Sequence, residues 1–432
     1  MTPAKARSVR FVTFGCKANQ YDTQVLREAL GRRGWSEEER GADLVVINTC
    51  TVTAEAGRKA RQLARRIARE SPEAKIAMTG CLAESEPEIL RELPGVHWVL
   101  GNGEAKRPAN FLRNLGEEVD PEELGIPSGI TEFAGHTRAF LKIQDGCDMA
   151  CAFCIIPSVR GKSRSRPVQE LCDEVAELVR RGHSEVVLCG IHIGHWGRDI
   201  GLHLADLLDS LAALEPVDSA GESIDWRLRL SSIEATEVDE RVLEVMARHP
   251  VRIAPHLHMP MQSGDDTVLA SMNRWYTSVE YLDACRRIRA VLDRPAFTAD
   301  ILVGFPGETD AQFENTLATC RAAGFTRVHV FPFSARPGTA ADALGNRAAP
   351  EAVRERRARL GDLSAELADG FRKGLVGASD AVVLEGSSGL SGRYQRVRVP
   401  DSHAIGRLVP VELSLEGDEL VGFALENGVL HD

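Results

Sequence analysis

Apolar and polar positions along the chain switch between a period near two and one near 3.6, and this switching sets out the elements. Over residues 8–115, apolar runs at 9–14, 44–47 and 75–78 read as buried parallel strands, with helical stretches at 22–33, 54–70 and 86–93. Strand–helix–strand alternation implies a parallel sheet with helices on its faces. Glu117, Glu118, Asp120, Glu122 and Glu123, with Pro121 and Pro127, mark 117–135 as a linker. A second series follows, with strands expected at 138–143, 185–191, 227–231, 256–261, 297–303 and 326–331. Helices at 168–181, 202–214, 239–248, 278–292 and 311–323 separate them. Six such units suit a partial barrel, whose reactive groups belong at the carboxyl ends of the strands. The pattern is helical at 354–371. Short β runs then appear at 380–384, 394–399, 408–413 and 420–425.

The expected fold class is therefore α/β. An N-terminal parallel α/β domain spans 8–116, a partial (β/α)6 TIM-type barrel spans 136–368, and a small C-terminal antiparallel β-barrel spans 369–432. No internal repeat or low-complexity tract interrupts this order.

Composition narrows the chemistry. The 432 residues are 43% hydrophobic and 27% charged, an ordinary soluble composition. The formal charge of −11 excludes an electropositive coat over the whole protein but leaves room for local basic patches. No apolar run is long enough to cross a bilayer, so no membrane partner is expected. Lys5, Arg7 and Arg10 precede Phe11 without an apolar stretch, which argues against a secretory signal. A cytoplasmic chain keeps its ten cysteines reduced, as metal ligands, reactive thiols or core filler.

Three of them, Cys147, Cys151 and Cys154, follow the first barrel strand with C-x3-C-x2-C spacing. Four cysteines would complete a structural zinc or iron–sulfur site, whereas three on a cubane leave one iron without a protein ligand. That iron can chelate the amino and carboxylate groups of S-adenosylmethionine. One electron passed to the sulfonium then yields methionine and a 5′-deoxyadenosyl radical. A zinc knuckle completed by a distant ligand, or cysteines buried as small hydrophobes, is the competing reading. Placement at a strand's carboxyl end favours the cluster.

Four further stretches accompany the triplet: IIPSVRGKSRSRP at 155–167, LHMPMQSG at 257–264, MNRWYT at 272–277 and DILVGFPGET at 300–309. On these motifs the chain resembles the radical S-adenosylmethionine superfamily and, more closely, its methylthiotransferase branch. The resemblance covers nearly the whole sequence.

Cys16, Cys50 and Cys81 each follow a candidate parallel strand, in FVTFGC, LVVINTC and KIAMTGC. Strand ends lie on one edge of a parallel sheet, so these thiols can converge although no local spacing joins them. Gly15 and Gly80 let the backbone approach a bulky ligand. In the methylthiotransferases, three such cysteines hold an auxiliary cluster that carries the sulfur to be delivered. The resemblance thus implies two 4Fe–4S clusters and S-adenosylmethionine as cofactors, with no catalytic residue beyond the cluster ligands. Cys172, Cys285 and Cys320 fall on helical patterns and read as core. Cys189 ends a barrel strand and is a candidate to line its pocket.

The words GCKANQYDT and NTCTVT around Cys16 and Cys50 resemble the threonylcarbamoyladenosine tRNA methylthiotransferases. That likeness implies a methylthio group added to C2 of N6-threonylcarbamoyladenosine at position 37 of tRNA. The implied partners are tRNA, a reducing flavodoxin- or ferredoxin-type donor and a sulfur source. Candidate cofactor-binding residues at strand ends and in the triplet loop are Phe153, Gly190, Ser232, Glu234, Gln262 and Asp300. The segment CGIHIG lacks the acidic residue usual in the superfamily's second-strand motif. Gly304–Glu308 lacks the Lys-Ser/Thr of a phosphate loop and reads as a turn opening a helix. His256 and His258 share one face of a strand and read as packing residues.

Three basic groups are candidates for phosphate contact: Arg160, Lys162, Arg164 and Arg166; Arg58, Arg61, Arg65 and Arg69; and Arg354, Arg356, Arg357 and Arg359. The C-terminal segment resembles a TRAM domain, with Tyr394 a candidate to stack a base. Its acidic balance leaves bracing of the barrel as the alternative. Rival functions are methylthiolation of isopentenyladenosine in tRNA, methylthiolation of an aspartate of a ribosomal protein, and a non-catalytic iron–sulfur RNA-binding role.

Overall fold

The computed structural model describes residues 7–51, 53–119, 129–400 and 404–425. Residues 120–128, the middle of the expected linker, lie outside the described residues. Two compact units divide the chain. The first holds Met1–Ile130 with Asp145–Met149 and Cys154–Ser163; the second holds Thr131–Gln144, Ala150–Phe153 and Arg164–Asp432.

In the first unit, five parallel strands run in the spatial order Ser36–Glu37, Ser8–Thr13, Leu44–Thr49, Lys75–Gly80 and Val96–Leu100. The all-apolar start of Leu44–Thr49 fits its central place, with every residue buried. Successive side chains of this strand face opposite ways. Val45 and Ile47 pack with Ala60, Leu63 and Ile67 of the helix Ala54–Glu70, while Leu44 and Val46 pack with Leu26 and Leu30 of the helix Lys17–Arg32. The expected helix at 86–93 is instead two short helices, Cys81–Ser85 and Pro87–Arg91. Pro87 disfavours helical backbone at Glu86 and opens the second helix. The strand Val96–Leu100 escaped the sequence pattern because only Leu100 is fully buried.

The second unit carries six parallel strands. Arg138–Lys142, Glu185–Cys189 and Arg227–Leu230 form one ladder, and His256–His258, Ala296–Val303 and Arg327–Pro332 form another. Single parallel bridges, Leu228 to Ile253 and Ser232 to His258, join the two series into a partial barrel. The intervening helices are Val168–Arg180, Leu204–Ala212, Glu240–Arg248, Ser278–Val291 and Asp310–Ala323. Thr277 with Glu280, and Thr309 with Gln312, cap the last two through reciprocal side-chain bonds. Gly304–Glu308 is the turn that leads into Thr309, as expected. A further helix, Asp266–Ser271, follows Gln262 and is capped by Asp265.

A closed five-stranded barrel ends this unit: Ser379–Leu384, Ser388–Ser391, Arg396–Arg398, Glu419–Ala424 and Leu408–Glu416, around Val382, Val397, Val411 and Leu413. Arg227 and Arg229, on one face of their strand, secure it. Arg227 donates to the Leu390 carbonyl at 2.8 Å; Arg229 donates to the Ser391 and Gly392 carbonyls at 2.8 and 2.9 Å. Fully buried Glu185 accepts from both guanidinium groups, at 2.6 and 2.8 Å. Burial opposes its charge, but the three arginines 229, 227 and 138 hold its carboxyl far below the usual range. Tyr394 is stacked on His256 at 4.3 Å with Arg229 over its ring, so it braces this junction. Among the described residues, no helix is long and apolar enough to cross a membrane.

Candidate cluster-binding sites

Cys16, Cys50 and Cys81 lie just past the carboxyl ends of three adjacent strands of the first unit. The register levels them: Thr13 pairs with Asn48, and Thr49 with Gly80, so Cys50 and Cys81 follow directly paired residues. Cys16 is exposed, at the N-cap of Lys17–Arg32. Cys50 and Cys81 are buried. Gly15 has φ +100°, and a Cβ there would stand 2.7 Å from the Cys50 sulfur. The turn before Cys16 therefore passes Cys50 closely enough that only glycine fits.

Amide and hydroxyl side chains hold the three strand ends together. Asn19 donates to the Phe14 and Thr49 carbonyls, both at 2.9 Å. Asn48 donates to the Asn19 carbonyl at 2.8 Å and to the Thr23 hydroxyl at 2.9 Å. Thr49 donates to the Thr79 carbonyl at 2.6 Å and accepts from the Leu82 and Ala83 amides. These bonds explain the words GCKANQYDT and NTCT physically: the residues beside each thiol tie it to the neighbouring strand.

Arg160 does not project toward solvent as a phosphate contact. Its side chain is about 1% exposed, with Nε donating to the Cys81 sulfur at 3.4 Å, Nη1 to Asp145 at 2.8 Å and Nη2 to Asn19 at 2.5 Å. Burial opposes its charge, yet Asp145, Asp22 and the Cys81 and Cys16 thiols drive its pKa well above the ordinary guanidinium value.

The triplet loop is divided between the units, and each part is held by its own. In the first unit, the Cys147 amide donates to the Gly161 carbonyl at 3.0 Å, and the Met149 amide donates to the Cys147 sulfur at 3.4 Å. In the second, Ala152 donates to the Met272 carbonyl at 2.9 Å and Asn273 to the Ala150 carbonyl at 2.7 Å. Arg274 Nη1 donates to the Cys151 sulfur at 3.3 Å, while Nη2 bonds Glu234 and the Tyr276 hydroxyl. The stretch MNRWYT is thus the strap that pins Cys151. The auxiliary trio fits a cluster, with an N–H donor on the Cys81 sulfur and a turn at Gly15 where a Cβ would collide, while Cys147 and Cys151 are each reached by an N–H donor within their own unit.

Comparison with known proteins agrees with this geometry. Residues 8–101 match the model of Uncharacterized protein family UPF0004, and residues 141–320 match the Radical SAM superfamily. The threonylcarbamoyladenosine tRNA methylthiotransferase MtaB of Bacillus subtilis is 38% identical over 377 residues, covering 84% of this chain and 81% of the relative. Its namesake in Thermotoga maritima is 36% identical, covering 88% and 87%. The chain belongs to the radical S-adenosylmethionine methylthiotransferase family. It is an enzyme, a transferase whose family works with S-adenosylmethionine and 4Fe–4S clusters. A tRNA-2-methylthio-N6-dimethylallyladenosine synthase of Cereibacter sphaeroides is also similar, at 34% identity over 96% of this chain and 99% of that one. Among solved structures, the radical S-adenosylmethionine methyltransferase TsrM from Kitasatospora setae has a TM-score of 0.56 at 16% identity over 78% of this chain and 77% of that chain, a likeness of fold.

The transferase disperses the other candidate residues around the barrel's strand ends. Gly190 lies in a turn held by Gln144, whose Oε1 accepts from the Ile191 and His192 amides at 3.1 and 2.8 Å. A Cβ at Gly190 would meet the Gln144 carbonyl at 2.9 Å. Ser232 is exposed at its bridge to His258, and Glu234 is bound by Arg274. Gln262, at φ +64°, donates its amide to the Asp300 carbonyl at 2.8 Å, and the Asp300 side chain faces His258 at 3.3 Å. Phe153 packs on the cluster formed by Ala152, Met272 and Phe305. His256 and His258 both bond the Thr298 hydroxyl, as packing residues do.

Sequence patterns missed one constellation here. His192 and His195 stack at 3.8 Å and both direct Nε2 at Glu237, at 2.9 and 3.1 Å. Burial opposes the Glu237 charge, but the two histidines lower its pKa to about 2. An acid from another strand end therefore stands beside the CGIHIG turn that lacks one of its own.

The basic groups also sort differently. Arg58 pairs with Glu55 and Arg61 with Glu86, while Arg65 and Arg69 line, with Arg10, Lys59 and Arg66, a groove of about 660 Å³. Arg166 binds Glu174, and Arg356 is buried on Glu308 and Asp310. Neither is available to a phosphate. Lys162, Arg164 and Arg357 are exposed.

Proposed function

We propose that Cys147, Cys151 and Cys154 hold the 4Fe–4S cluster that binds S-adenosylmethionine, and that Cys16, Cys50 and Cys81 hold an auxiliary 4Fe–4S cluster. On this reading the enzyme adds a methylthio group to C2 of N6-threonylcarbamoyladenosine at position 37 of tRNA. The observation that carries the substrate assignment is the pair of words GCKANQYDT and NTCTVT around Cys16 and Cys50. When bound, the first cluster supplies reductive cleavage of S-adenosylmethionine and the second supplies sulfur.

The chain's own residues supply position and charge. Arg274 links Cys151 to Glu234, and Cys16 stands at the N-cap of Lys17–Arg32. Phe153, Gly190, Ser232, Glu234, Gln262 and Asp300 are the proposed cofactor contacts. The groove bearing Arg10, Lys59, Arg65, Arg66 and Arg69 is the proposed phosphate-binding face for tRNA in an otherwise acidic chain. A flavodoxin- or ferredoxin-type donor and a sulfur source complete the proposed reaction in the cytoplasm. The proposed domains are 8–116 for the auxiliary cluster, 136–368 for the radical chemistry and 369–432 as a TRAM-like brace.

The test incubates reconstituted enzyme, S-adenosylmethionine and reductant with tRNA carrying either threonylcarbamoyladenosine or isopentenyladenosine, and separately with ribosomal protein. Mass spectrometry of the products is expected to show methylthiolation of the first alone. A product confined to isopentenyladenosine or to protein overturns the assignment.

A further inference from the structure

Arg160 is a buried cation that donates a hydrogen bond to a sulfur of the auxiliary trio, and this contact lies entirely within the first unit. Its placement is determined on every side. Nη1 is anchored by Asp145 and Nη2 by Asn19, with Asp22 at 3.4 Å, which leaves the single Nε hydrogen aimed at Cys81. Asp22 does not need this cation for neutrality, because Lys106 binds it at 2.9 Å and spans to Asn48 at 3.2 Å. Burying a guanidinium this deeply costs several kcal/mol unless opposing charge surrounds it. The groups facing it are Asp22 and Cys16 from one strand–helix turn, Cys81 from another, and Asp145 from the triplet loop. Asn19, the same residue that ties the Cys16 turn to Cys50, fixes the guanidinium plane.

We infer that Arg160 is a positioning residue for the auxiliary centre, which raises the reduction potential of that cluster by donating to the Cys81 thiolate. The inference rests on the reading that Cys16, Cys50 and Cys81 hold that cluster. One-electron reduction of a 4Fe–4S core adds one negative charge and moves no proton. A fixed N–H donor and a buried cation beside a ligand sulfur stabilise the more negative state, so they shift the couple upward. The same positive charge stabilises an anionic sulfur ligand on the iron that the trio leaves open. Arg160 follows Cys154 by only six positions, so the segment that completes one cysteine trio also supplies the counter-charge of the other.

The experiment is an anaerobic potentiometric titration with sodium dithionite, read by electron paramagnetic resonance, on the full chain. A Cys151→Ala background isolates the auxiliary signal. Arg160→Gln is expected to keep that cluster but move its midpoint to a more negative potential, with Arg160→Lys in between. An unmoved midpoint in Arg160→Gln, with the iron content unchanged, overturns the inference. Where Arg160→Gln loses the cluster, Arg160→Lys decides. Retention with a shifted midpoint supports the role, and loss in both variants with a lowered melting temperature shows a structural residue instead. Failure of the underlying reading looks different: the Cys151→Ala parent, with Arg160 intact, would then hold no second cluster at all.

Discussion

A guanidinium donates to one cysteine of each trio, and the two settings differ in what else it touches. Arg160 meets Cys81 among Asn19 and Asp22, which belong to the frame of the sheet edge, and Asp145 from the triplet loop. Arg274 meets Cys151 while bound to Glu234 and Tyr276 and lying over the Trp275 ring at 4.2 Å. Tyr276 in turn donates to the Pro260 and Met261 carbonyls at 3.0 Å, two residues before Gln262. The first arginine therefore joins the scaffold of its thiols, through Asn19 and Asp22, to Asp145 at the start of the triplet loop. The second links its thiol to strand ends where a cofactor would bind. On the proposed assignment, the first counter-charge stands beside the sulfur-carrying centre and the second beside the centre that binds S-adenosylmethionine.

Ligand removal breaks this comparison most sharply. Cys151→Ala and Cys50→Ala should each reduce the iron content from about eight to about four per chain. Cys151→Ala should abolish release of 5′-deoxyadenosine, whereas Cys50→Ala should leave it measurable and stop sulfur insertion. Methylthiolated product from Cys50→Ala would contradict the division of labour. Gly15→Ala should mimic Cys50→Ala, because its methyl group would occupy space held by the Cys50 side chain. Iron analysis and absorption spectra report it.

Glu185→Gln sharpens the comparison as a control, since its arginines touch no cluster thiol. Leaving Arg227 and Arg229 without their anion should cost about 3–5 kcal/mol, read as a lower melting temperature with the iron content unchanged. The sign of its pH dependence follows from a depressed carboxyl. The stabilisation is complete above the ordinary value of 4.5 and is lost only as the pH falls through the much lower folded value. The difference between wild type and variant should therefore be flat from about pH 5 to pH 8, and a fall within that range would contradict it.

Arg274→Gln should slow 5′-deoxyadenosine release about 10–100-fold, the usual scale for a partner of a metal ligand. Normal release would reduce Arg274 to packing. The smallest effect concerns thiols outside both trios. Burial raises Cys285 and Cys320 to about 12, so neither should react with iodoacetamide at neutral pH in the folded cluster-free protein. Mass mapping after alkylation tests this.

How much of this was legible in sequence depends on separation along the chain. The gathering of Cys16, Cys50 and Cys81 at one sheet edge was readable because each cysteine closes an apolar run, and parallel strands bring such ends to one edge. Arg160 was misread as a phosphate contact because Cys81 lies 79 residues away and Asn19 lies 141 away, beyond any local pattern. The pairing of His192 with Glu237, 45 residues apart, was invisible for the same reason. The strand Ser388–Ser391 was hidden by its glycine and serines, although a Cβ at Gly389 would stand 2.1 Å from the Val383 carbonyl. Tyr394 looked like a base-stacking residue until the His256 ring was found against it. Apolar periodicity carries the fold, while polar residues find partners that only the folded chain reveals.

The grip of Arg227 and Arg229 on the C-terminal barrel has an evolutionary consequence. Their hydrogen bonds end on the main-chain carbonyls of Leu390, Ser391 and Gly392, which every amino acid possesses. Substitutions on the outward face of this module therefore leave these three attachment bonds in place. The bond is blind to identity and sees only backbone shape.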